Sequence, residues 1–235
     1  MTHGTARVGH EHADVTGGWL RPAVFGAMDG LVSNFALIAG VAGGGVDQSV
    51  IILAGLAGLA AGAFSMAAGE YTSVATQAEL AEAEISLERE ELRTNPDAEE
   101  RELADMYVAK GLEPELAKEV ARQLHLDPDR ALDVHTREEL GVTLGDLPSP
   151  RLAAASSFAA FAVGALVPVM PYLLGAQTLW PAVVVSLLGL FLTGAAVTRL
   201  TSRPWWYGGI RQLVLGSTAA ALTYAFGNLV GAGLG

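Results

Sequence analysis

Gln77-Ala-Glu-Leu-Ala-Glu-Ala-Glu-Ile-Ser-Leu-Glu-Arg-Glu-Glu-Leu92 contains neither glycine nor proline, and neither occurs until Pro96. It follows directly on an apolar run over residues 49–74. Glu, Leu and Ala are good helix formers, so the sequence predicts one long helix that leaves a bilayer and continues through water to about Arg93. The quoted stretch opens an acidic block, residues 79–146, which holds 20 of the chain's 25 Asp and Glu but only 8 of its 14 Lys and Arg. With 8 bases against 20 acids the block carries −12, close to the −11 of all 235 residues. Carboxylates this dense on helices are dispersed in water, paired with bases or neutralised by bound cations.

The remainder of the chain is apolar. It is 51% hydrophobic with a mean hydropathy of +0.37, outside the usual soluble class. A span needs about 20 largely apolar residues to cross a hydrocarbon core roughly 30 Å thick. Five segments qualify, at residues 22–45, 49–74, 150–174, 180–200 and 208–234. Residues 1–18 are polar and lack the features of a secretory signal, so the first span is expected to be retained. No cysteine is present, which restricts any metal ligand set to oxygen, nitrogen and thioether sulfur. All 14 bases fall on one side of a five-span arrangement, and the connections at 45–48 and 175–179 have none. The positive-inside rule then puts the N-terminus and the acidic block in the cytoplasm. The expected fold is an all-α integral membrane protein: a tail at 1–18, spans one and two within 19–77, a cytoplasmic helical domain at 78–147 and spans three to five within 148–235.

Within the block, Asn95-Pro96-Asp97 reads as a helix stop and a new start. Three shorter helices are predicted, at 97–110 ended by Gly111, at 114–124, and at 128–140 ended by Gly141. Residues three or four apart share a helix face, so Glu84, Glu88 and Glu91 line one side of the long helix. Glu99 and Glu102 share a face of the next helix, and His135 and Glu139 share a face of the last. Helices that each contribute such a pair build carboxylate-bridged metal sites in bundles, suited to Fe, Mn, Zn or Co. The same spacing also fits solvated surface helices on which Arg89, Arg93 and Arg101 pair with the acids.

Inside the spans, Asp29 shares a face with Ser33, and Met66 with Glu70. An ionisable group at bilayer depth is a functional candidate by default, and no base lies within any span to pair with Asp29. Glu70, nearer the interface, reads equally as a ligand or as a snorkelling or capping residue. Pro168 and Pro171 are expected to kink span three. His3, His10 and His12 are read as part of a solvated tail.

Four motifs occur in order: Arg21-Pro-Ala-Val-Phe-Gly-Ala-Met-Asp-Gly-Leu-Val-Ser-Asn34, Ser65-Met-Ala-Ala-Gly-Glu-Tyr71, Arg137-Glu-Glu-Leu-Gly141 and Pro168-Val-Met-Pro-Tyr172. With these the chain resembles the vacuolar iron transporter family, in its bacterial-type form. The resemblance implies a homodimer with a pore lined by first-span helices. It also implies export of Fe(II), and often of other divalent ions such as Mn(II), from the cytosol in exchange for protons. By that likeness Asp29 and Met66 are pore ligands and Glu70 lies near the cytoplasmic entrance. Glu88, Glu91, Glu99, Glu102 and Glu139 fall at the glutamates of a cytoplasmic metal-binding domain. Where plant members carry two methionines, four and three residues before the last glutamate, this chain has His135 and Thr136. The metal is substrate; no prosthetic group, enzymatic activity or nucleic-acid partner is expected, and the partners are a lipid membrane, protons and a second copy. The short termini point to a bacterial inner membrane. Two competing readings are a membrane-anchored di-iron carboxylate oxidase and a metal-buffering or sensing protein. The oxidase reading is weakened because such centres use two Glu-x-x-His pairs.

Overall fold

A computed structural model describes residues 18–200 and 203–234, and the tail with His3, His10 and His12 lies outside them. The described residues form eight α-helices and one short 3-10 turn: α1 (Leu20–Gly43), α2 (Gln48–Thr94), α3 (Pro96–Ala109), α4 (Pro114–Leu124), α5 (Pro128–Glu139), α6 (Pro150–Leu173), α7 (Leu179–Val197), the turn Thr198–Leu200, and α8 (Trp205–Leu234). Helices α1, α2, α6, α7 and α8 are long and apolar enough to cross a membrane. The quoted acidic stretch is the second half of α2, a single helix of 47 residues. Helix α8 starts at Trp205, ahead of the predicted 208. Pro204 presets the entry to the helix, and the Tyr207 N–H donates to its carbonyl at 3.0 Å. Trp205, Trp206 and Tyr207 therefore form the first turn of α8. Pro168 and Pro171 both lie inside α6, which continues to Leu173.

The chain divides into two compact units: residues up to Tyr71 together with those from Arg151 on, and Thr72–Pro150. In the first unit α1 is central and packs against α7 and α8. Leu31, Phe35 and Ala39 of α1 meet Leu190 of α7 and Ala220 of α8 in a buried cluster. Contact between α1 and α6 is backbone to backbone. A methyl group at Gly164 would collide with the Ala27 carbonyl, and one at Gly30 with the Phe161 carbonyl. Small residues that let helices approach this closely take the place of the hydrophobic drive that lipid removes. The outward faces are apolar: Leu53, Phe64, Val163, Leu192, Phe226 and Leu229 are each between 64% and 76% exposed. Such a surface calls for lipid or protein around it.

The second unit is small and polar outside. Leu103 and Ala104 of α3 pack on Ala121 of α4. Each of its short helices begins with proline in the first turn, and two are capped by acids. The Glu113 carboxylate accepts from the Glu115 and Leu116 N–H groups, and that of Asp127 from the Asp129 and Arg130 N–H groups. Part of the acidic charge thus serves as helix caps. Gly111 and Gly141, at φ of +98° and +66°, take the left-handed backbone that ends α3 and α5.

The glycine contact between α1 and α6 is testable. Gly164→Leu is expected to cost about 1–3 kcal/mol or more through overpacking, read as a lower unfolding temperature in detergent. Gly69→Ala, where an added methyl meets nothing within 4 Å, should leave that temperature unchanged or raise it.

Candidate metal sites

In the Thr72–Pro150 unit, Glu88 of α2, Glu99 of α3, and His135 and Glu139 of α5 converge. Each offers one ligand atom, and these atoms all lie within 4.8 Å of one another. His135 Nδ1 is 2.7 Å from Glu139 Oε1, 3.0 Å from Glu88 Oε1 and 3.8 Å from Glu99 Oε2. The His135 side chain is fully buried, those of Glu88 and Glu99 are 11% exposed and that of Glu139 24%. A single nitrogen carries at most one proton, so it can donate to only one of three carboxylates at a time. Glu88 Oε1 shows the shortfall, being buried without a hydrogen-bond partner, and His135 Nε2, on the far edge of the ring, is buried without one as well.

Six of the eight bases of this unit are engaged elsewhere. Arg93 pairs with Glu90 at 2.6 Å, Lys118 with Glu115 at 2.9 Å, Arg122 with Glu119 at 2.7 Å, Arg137 with Asp133 at 2.9 Å, and Lys110 with Glu138. Arg101 donates to the Asp97 carbonyl. Among the described residues no Lys or Arg pairs with Glu88, Glu99 or Glu139. Burial raises the Glu88 carboxyl to about 7, and repulsion from Glu139, Glu99 and Glu102 adds to it. The Glu99 carboxyl is raised as well, chiefly by burial and then by Glu102, while His135 opposes the shift. Three oxygens and a nitrogen held this closely, without a fixed cation, have the donor chemistry of a divalent-metal site.

Glu91 and Glu102 lie at the margin of this group. Glu91 accepts from Asn95 Nδ2 at 2.8 Å, and Glu102 is exposed; both repel the clustered carboxylates electrostatically. Thr136 is buried but turns its hydroxyl to the Asp133 carbonyl at 3.2 Å, so of His135 and Thr136 only the histidine faces the carboxylates.

The apolar unit holds a second constellation. A half-open recess of about 270 Å³ is lined by Asp29, Ser33 and Asn34 of α1, and by Ser65 and Met66 of α2, among others. Asp29 is half-buried, and among the described residues no base pairs with it. The Ser33 hydroxyl donates to the Asp29 backbone carbonyl at 2.6 Å, leaving the Asp29 carboxylate to the recess. Met66 packs beside Phe161. Glu70, one turn beyond Met66, is half-buried and is not part of the recess wall.

Comparison with known proteins decides the family. The model of the VIT family matches residues 20–228. The chain belongs to the VIT family. It is 38% identical over 228 residues to a protein of Acanthamoeba castellanii named "Vacuolar iron transporter", covering 94% of this chain and 82% of that one. It is 34% identical over 217 residues to "Vacuolar iron transporter 1" of Tulipa gesneriana, covering 90% and 87%. A third VIT relative, "Vacuolar iron transporter 2" of Oryza sativa subsp. japonica, is 33% identical over 217 residues with the same coverage.

Sequence reasoning misses two residues of this VIT chain. His125, just past α4, stacks edge-on against His135 with ring centroids 5.2 Å apart, and its Nδ1 lies 2.9 Å from the Ala121 carbonyl. A histidine directly after a predicted helix was the only available signal. Asn34 sits inside the first motif, but its partners on α2 and α6 are 21 and 131 residues away in sequence.

The raised Glu88 carboxyl has a defined sign in stability. Its folded value of about 7 exceeds the ordinary 4.5, so between these the folded state holds a proton that the unfolded state has lost. Stability of the metal-free protein should therefore fall as pH rises from about 4.5 to about 7 and then level off. Thermal unfolding in chelator across this range should show that decline, and Glu88→Gln should flatten it.

Proposed function

We propose that this chain carries divalent metal, Fe(II) with Mn(II) as a second substrate, out of the cytosol in exchange for protons. Its relatives are named as transporters, and it acts as a carrier rather than an enzyme. The observation that supports this most is the recess in the apolar unit, where an Asp29 carboxylate without a base stands with Met66. A carboxylate in such surroundings costs a few kcal/mol unless an ion or proton answers it. A passing divalent cation does so, and a proton replaces it when the cation leaves.

In this reading the Thr72–Pro150 unit is cytoplasmic, a placement that the distribution of bases supports. Glu88, Glu99, Glu139 and His135 collect metal there, and Glu91 and Glu102 deepen the negative field around them. Their carboxylates lose protons when metal binds and regain them when it departs. Glu70 serves as an acidic step towards the recess. Asp29 and Met66 provide two ligand atoms, few for an ion that prefers four to six. A second copy of the chain doubles the set, so the working form is a homodimer with the two recesses joined.

Purified protein in liposomes under an imposed pH gradient tests this directly. Fe(II) and Mn(II) flux should accompany proton flow in the opposite direction. Asp29→Ala should slow flux on the order of tenfold or more, about 1.4 kcal/mol of barrier, while metal binding to the acidic unit of the full chain persists. Unchanged flux in that variant would remove Asp29 from the path.

A further inference from the structure

Asn34 carries an oxygen without a partner. The residue is 2% exposed, and its Nδ2 donates to the Gly55 carbonyl of α2 at 3.1 Å and to the Ala165 carbonyl of α6 at 2.6 Å. Both partners are acceptors only, so the amide nitrogen must face them and the orientation of the group is fixed. Oδ1 is the atom left over. It is buried and accepts no hydrogen bond. A methyl group at Gly58 would collide with Leu37 and lie 2.8 Å from this oxygen, so the missing side chain at 58 leaves room beside it. Gly58 and Asn34 line the same recess as Asp29, Ser65 and Met66.

A carbonyl oxygen left unpaired among apolar helices carries a desolvation penalty that a ligand would relieve. Bracing the three helices uses only the amide nitrogen. That bracing does not account for an oxygen aimed at the wall of a recess with a free carboxylate. We propose that Asn34 Oδ1 is a neutral oxygen ligand for the divalent cation at Asp29, bound directly or through one water the ion keeps. The inference rests on the transport reading and deepens it by naming a ligand. A neutral oxygen adds coordination without charge. A second carboxylate would hold the ion more tightly, whereas conduction needs binding weak enough for release. Amide oxygen also favours hard ions such as Mn(II) over softer ones, which Met66 suits better.

The test compares metals, because a bracing role alone would affect all of them alike. Initial rates of Mn(II) and Zn(II) uptake into liposomes give KM and maximal rate for each. Asn34→Leu should raise the KM for Mn(II) roughly tenfold, the scale of a lost buried polar contact, and raise that for Zn(II) much less. Gly58→Ala crowds the oxygen, with the flexible end of Leu37 giving way to admit the methyl, while the backbone carbonyls that hold the amide nitrogen are untouched, so it should shift the Mn(II)-to-Zn(II) preference in the same direction. Equal changes for the two metals, or an unshifted preference in a well-folded Gly58→Ala protein, would overturn the assignment. If Asn34→Leu fails to fold, Gly58→Ala decides alone. Wild-type protein that carried no metal would sink the transport reading instead. The ligand would then be read from Mn(II) binding by paramagnetic resonance to the full chain with Glu88→Gln, Glu99→Gln and Glu139→Gln. There Gly58→Ala should again weaken binding, and unchanged binding would refute the proposal.

Discussion

Three carboxylates crowd one imidazole nitrogen. Glu139 at 2.7 Å, Glu88 at 3.0 Å and Glu99 at 3.8 Å all address His135 Nδ1, which has at most one proton to give. Burial adds a penalty on the charged forms, and the raised Glu88 and Glu99 carboxyls express both the burial and the mutual repulsion. Ordinary surface charge on a helix is relieved by a neighbouring base, as in the Arg93–Glu90 and Arg122–Glu119 pairs of the same unit. Within the cluster no such base is present among the described residues. A divalent cation would resolve the shortfall, and protons would do so in its absence; the proposed exchange between the two rests on the same electrostatics.

The recess in the apolar unit obeys the same constraint with fewer groups. There the acid is Asp29, the surroundings are helix faces built for lipid, and the additional donors are neutral: hydroxyls, a thioether and the Asn34 amide. Fewer charges make a weaker hold. The difference between the clusters suits their proposed tasks, since collecting an ion rewards affinity and passing it on rewards release. The glycines that bring α1 and α6 into backbone contact let Asn34 reach the Ala165 carbonyl, so close packing and site geometry share one origin.

Much of this was legible in the sequence for simple reasons. Apolar runs of span length and a stretch without glycine or proline specify the five long helices and the 47-residue α2. Helical spacing, together with the acids' excess over bases, brought out Glu88, Glu99, His135 and Glu139. Spacing did not distinguish Glu91 and Glu102 from them. A step of three residues turns a helix by about 300°, which swings Glu91 off the line of Glu88 towards Asn95. The start of α8 lies ahead of the expected 208 because proline and aromatic residues at a helix start are not apolar-run signals, and the last turn expected of α7 is instead the 3-10 turn Thr198–Leu200. Asn34 and His125 were out of reach for a different reason. Their significance lies in which distant helix they meet, and no local pattern encodes that.

The central claim is that these buried acids exist to hold a divalent cation, and anomalous X-ray scattering from crystals of the full chain soaked in Mn(II) tests it most directly. The account predicts manganese peaks bonded to the carboxylates of Glu88, Glu99 and Glu139 with His135, and a second, weaker peak at Asp29. Crystals that diffract well in Mn(II) but show no peak at either place would contradict it.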